Sequence, residues 1–273
     1  MQPLFLSQLK PALKLCWKNR LIVALCGMID IAFFIALAFA HYEILKRLAG
    51  FVQVLMEELQ KTLAGAIAQE DITQFKPALM KSAEFVTAYH QILKFIILLL
   101  VSAFLIWLVF KSINWYLASR IVKGKVNFKS YAKYFALYSL LWFFGLIIIL
   151  AIFVSLTAYS TSQMLPLIGQ TGTKIIITAL VLVLAYFAFT SFALIPKARF
   201  KEVFIKGVKQ WKQIIPAYIT LVIITFLAGY IPIKIALWQN PAAYWIVLAF
   251  VLLVSLPAIS YGRIYISLII NKV

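Results

Sequence analysis

The stretch YFALYSLLWFFGLIIILAIFVSLTA, residues 134–158, decides the class of this protein. It carries no charge, and the uncharged run continues to residue 173. A helix that crosses a membrane needs about 20 mostly apolar residues, which this stretch supplies with room to spare. A second uncharged run covers 235–262. Over 273 residues, 64% are hydrophobic and 12% charged. Ordinary globular chains are about 45–50% apolar, and a soluble domain of this length has no interior large enough for the excess. The expected fold class is all-α: a polytopic helical membrane bundle forming one membrane domain, 1–273.

Working outward from that run, about six spans are expected, at 21–40, 92–114, 135–158, 175–195, 214–233 and 243–262. The first competes with a cleavable leader, since Ala38, Phe39 and Ala40 resemble a cleavage site. Its apolar stretch exceeds the 7–15 residues of a leader's core, so a retained helix is expected. The second is bounded by Lys94 and Lys111, which are expected to reach toward opposite surfaces. Pro257 is expected to kink the last.

Orientation follows from where Lys and Arg collect. One side holds Lys10, Lys14, Lys18 and Arg20, then Lys111 to Lys133, then Lys197 to Lys212, then Arg263 and Lys272, with Glu202 as its acid. The other side mixes Lys46, Arg47, Lys61, Lys76, Lys81, Lys94, Lys174 and Lys234 with Glu43, Glu57, Glu58, Glu70, Asp71 and Glu84. This alternation places both termini in the cytoplasm and residues 41–91 outside, in a plasma or inner membrane. Most of the net charge of +18 then lies on the cytoplasmic side and faces anionic lipid, which attracts each juxtamembrane cation by about 1 kcal/mol. No nucleic-acid module is present, so lipid is the expected partner of this charge.

Basic amphipathic stretches precede each outward span. At 200–215, Val203, Phe204, Val208, Trp211 and Ile214 repeat at helical spacing against Lys201, Lys206, Lys209 and Lys212. After Asn127, a plausible N-cap, Phe128, Tyr131 and Phe135 oppose Lys125, Lys129 and Lys133. Near the start, Phe5, Leu9 and Leu13 oppose Lys10, Lys14 and Lys18. These lysines read first as topology signals and interfacial anchors, and second as candidate contacts for anionic lipid or a cytosolic partner. Basic helix, outward span, inward span occurs three times, which hints at a triplicated unit.

Phe200, Lys201, Gly207, Trp211 and Pro216, and more weakly Phe5, Lys10, Trp17 and Lys18, carry a resemblance. In layout, most of the chain resembles uncharacterised six-helix membrane proteins of bacteria and archaea, including membrane domains of the type found beside glycerophosphodiester phosphodiesterases. The resemblance implies a membrane protein without assigned activity.

In the segment 41–91, Ile44, Leu48, Phe51, Val52, Leu55 and Leu59 mark one amphipathic helix, and Pro77 suits the first turn of a second. Glu70, Asp71 and Thr73 mark the turn between them. A standing hairpin of this length would project roughly 35 Å. It reads either as a partner-binding hairpin or as a cap packed on itself.

Asp30 lies about 13 Å into the first span. With no cation expected at matching depth, it is expected to be uncharged and to donate a hydrogen bond to a Ser, Thr or Tyr of a neighbouring helix. It reads as a packing contact or as a proton or cation site. His41, His90 and Glu43 could approach each other, but Cys16 and Cys26 lie too far apart on one helix to bond, and no metal-ligand spacing occurs. Ala32, Ala36 and Ala40 permit close helix packing. No catalytic motif and no cofactor fingerprint appears. The expected function is a non-enzymatic scaffold, assembly or partner-binding protein. The alternative is a small-solute or proton-coupled transporter using Asp30, and the third a lipid-modifying enzyme.

Overall fold

The computed structural model describes residues 4–68, 75–162, 169–195, 200–236, 246–247 and 249–272. They form α1 (Leu4–Ser7), α2 (Leu9–Lys18), α3 (Arg20–Ala68), α4 (Phe75–Lys81), α5 (Ala83–Lys123), α6 (Phe128–Ser162), α7 (Gln170–Leu194), α8 (Phe200–Lys209) and α9 (Trp211–Ala236). A π-helical turn, Val251–Ser255, leads into α10 (Leu256–Lys272). No strand occurs among the described residues. The expected turn at Glu70, Asp71 and Thr73 lies outside them.

Local chemistry sets several boundaries. Gly124 closes α5 at φ 79°, a left-handed conformation that costs glycine little. Asn127 then caps α6, its Oδ1 accepting from the Ser130 N–H at 3.1 Å, as its position predicts. Pro257 has no N–H to donate. The turn before it widens so that the Leu256 N–H reaches the Val251 carbonyl, five residues back. The amphipathic stretch expected to be continuous over 200–215 is instead two helices, parted at Gln210.

Among the described residues, five helices are long and apolar enough to cross a membrane: Arg20–Ile67, Ala83–Lys123, Phe128–Tyr159, Gln170–Leu194 and Val251–Lys272. The fifth expected span, 214–233, falls within α9, a helix of 26 residues. The last expected span, 243–262, lies partly outside the described residues; the helical run there extends on to Lys272 and so encloses Arg263.

Burial is inverted relative to a soluble bundle. In Ala83–Lys123 none of the most apolar window is buried, whereas in Val251–Lys272, with its serines, tyrosines and arginine, 61% is. This is the order expected of helices in lipid, where the apolar helix can face outward and polar groups must face protein.

The chain divides into two compact units, Met1–Ile31 with Leu108–Val273, and Ala32–Trp107. In the first, Trp115, Tyr131, Phe135 and Phe192 form an aromatic core, with Phe135 and Phe192 ring centres 4.5 Å apart. The Tyr131 hydroxyl donates to the Phe192 carbonyl at 2.9 Å. Tyr265 and Tyr261 tie α10 to the N-terminal helices by donating to the carbonyls of Phe5 and Leu9. In the second unit α3 and α5 pair: Phe51 stacks on Phe95 at 5.7 Å, and the Ser82 hydroxyl donates to Glu58 at 2.8 Å. Ile44, Leu48, Phe51, Leu55 and Leu59 are the less exposed face of α3, as their spacing predicts, while Val52 is exposed.

Candidate functional site

The first unit buries a charged cluster. Asp30 comes from α3, Lys111 and Asn114 from one face of α5, and Arg263 from α10. Asp30 and Asn114 are fully buried, and Lys111 and Arg263 are each 7% exposed. The Arg263 guanidinium grips the carboxylate with both arms, Nη1 to Oδ2 at 2.8 Å and Nη2 to Oδ1 at 2.9 Å. Lys111 Nζ donates to Oδ1 at 2.7 Å, and Asn114 Nδ2 to the same oxygen at 2.8 Å. The Asn114 amide is thereby oriented, since its flipped form would set an oxygen against the carboxylate.

This corrects the expectation of an uncharged Asp30 without a cation, bonded to a hydroxyl. Treating a charge as the end of a span puts both cations at the inner surface. Instead α5 runs on to Lys123 and α10 to Lys272, and both residues lie inside their helices. A forked guanidinium–carboxylate pair is the strongest of the common ionic contacts, and its planarity fixes helix rotation as well as distance.

The candidate lipid contacts are placed differently. Lys125, Lys129, Lys133, Lys201, Lys209 and Lys212 are exposed and Lys206 half-buried, on the loop before α6, on α6, on α8 and on α9. The buried faces of α8 are Val203 and Gly207. A Cβ at Gly207 would meet the Phe187 ring at 2.8 Å, so glycine is what lets α8 lie against α7, and the Tyr186 hydroxyl donates to the Gly207 carbonyl at 2.8 Å.

One structural lysine escaped the sequence reading. Lys123, expected on an exposed connection, donates to the carbonyls of Ala193 and Ile195 at 2.8 and 2.7 Å, so its ammonium serves the open end of α7. His90 Nδ1 contacts the Val86 carbonyl at 2.8 Å. Among the described residues no three His, Cys, Asp or Glu side chains converge, so His41, His90 and Glu43 do not form a ligand set. Cys16 and Cys26 are free thiols. Comparison of the chain with family models, with curated proteins and with solved structures finds no match.

Proposed function

We propose that this protein is a multi-pass membrane scaffold or partner-binding protein without enzymatic activity. In this reading it has six spans, both termini in the cytoplasm and the 41–91 hairpin outside the cell membrane. The observation that carries the reading is the Asp30 cluster. A transport carboxylate must exchange its proton or cation, whereas Asp30 is held by two cations and an amide drawn from two other helices. Such a carboxylate favours helix assembly over traffic. The resemblance in layout to six-helix membrane proteins agrees with this reading and adds no activity. The exposed, mostly apolar sides of α6 and α7 suit lipid, and the hairpin and the basic inner face are the surfaces left for a protein partner.

The test is flux. Proteoliposomes of the wild-type protein holding a pH-sensitive dye should respond to an imposed gradient no faster than empty vesicles. A faster response that is lost in the Lys111→Met variant, with folding retained, would replace this reading with transport.

A further inference from the structure

An apolar groove of about 600 Å³ opens along the first unit between α2, α3 and the π-turn with α10. Its walls include Val23, Gly27 and Ile31 of α3 and Leu252 and Leu256 of the π-turn and α10, and Arg20 and Trp17 line it as well. From Arg20 to Ile31 the helix rises about 16 Å, close to half of the roughly 30 Å hydrocarbon core, which is the depth of one leaflet. Arg20 is exposed, and so are Lys14, Trp17 and Lys18 beside it. The one acid in either lining segment is Asp30, which is turned to Arg263 and Lys111; no other acidic residue precedes it, and none follows Glu202. Trp17, 76% exposed, stands where an interfacial tryptophan belongs.

We infer that this groove binds an acidic glycerophospholipid. Its phosphodiester lies on the Arg20 guanidinium, and one acyl chain runs along Val23, Gly27 and Ile31 against Leu252 and Leu256. The site differs from diffuse attraction to surface lysines because one cation and one leaflet-deep slot are used together. The inference rests on the membrane reading above. The two fail differently, since a chain that stays soluble without detergent or lipid would contradict that reading before any lipid were counted.

The full-length protein, purified in detergent with equal phosphatidylglycerol and phosphatidylcholine of matched chains, can be weighed by native mass spectrometry. The wild type should retain phosphatidylglycerol in preference. Arg20→Gln should lower that preference about fivefold. Ala24→Trp, which fills the slot from an exposed position, should lower retention of both lipids, and Lys129→Gln should change neither. Equal retention of the two lipids by the wild type would overturn the site. So would an equal loss from Arg20→Gln and Lys129→Gln, which would mean diffuse charge, or a second copy of the chain in place of lipid.

Discussion

Asp30 shows how a single charge organises helices where water is absent. Taking one ion out of water costs several kcal/mol, and that cost is offset only when partners meet it with good geometry. Arg263, Lys111 and Asn114 do so at 2.7 to 2.9 Å. Removing the anion leaves two buried cations facing each other. Asp30→Asn is therefore expected to lower unfolding stability by about 3–5 kcal/mol, whereas an uncharged Asp30 would have lost under about 1 kcal/mol. Replacing all three charges together, as Asp30→Leu, Lys111→Met and Arg263→Met, should recover most of the loss, because well-packed apolar residues often match a buried ion pair. Thermal unfolding of both variants in one detergent decides it, and an Asp30→Asn variant as stable as the wild type would contradict the ionic cluster. The importance of Asp30 was legible from an acid set in an apolar run. Its partners were not, because Lys111 and Arg263 each follow an apolar run and so stand where a span is expected to end. The apolar residues on the far side of each, WYLA after Lys111 and IYISLII after Arg263, were the signal that those helices continue.

At the scale of the helix, what depends on neighbours in sequence was readable. The Asn127 cap is one such feature, and the apolar stripe from Ile44 to Leu59 is another, since both follow from helix geometry alone. What depends on a distant surface was not. The widened turn before Pro257 goes with a proline that the sequence shows, whereas the break at Gln210 follows no spacing rule. The docking of α8 illustrates this. Its large apolar residues Val208 and Trp211 are exposed, and the buried contact is made by Val203 and a glycine. Gly207→Leu would drive a side chain into Phe187 and Tyr186 and displace the carbonyl that Tyr186 binds. The expected cost is about 1–3 kcal/mol, read as a lower unfolding temperature. Trypsin should also cut faster at Lys206 and Lys209 of the freed helix. An unchanged melting temperature and digestion pattern would mean that α8 is not held by this contact.

At the scale of the whole chain, the membrane account joins three features: apolar helices of crossing length, burial concentrated in the polar α10, and lysines that alternate in density from one connection to the next. The first was plain in composition. The second could not be read from sequence, because which helix sits inside depends on packing among all of them. The third gives direction, since cytoplasmic connections collect Lys and Arg. Impermeant thiol labelling of intact cells tests that direction, with Cys16 and Cys26 replaced by Ala and single cysteines placed at Glu57 or at Lys125. Lys125 is the better inner probe because it is exposed, whereas Lys123 is engaged at the end of α7. With residues 41–91 outside, the Glu57→Cys protein is labelled in intact cells and Lys125→Cys only after the membrane is opened. Labelling of Lys125→Cys in intact cells with Glu57→Cys protected would reverse the topology, and equal labelling of both only after lysis would contradict a hairpin outside the membrane.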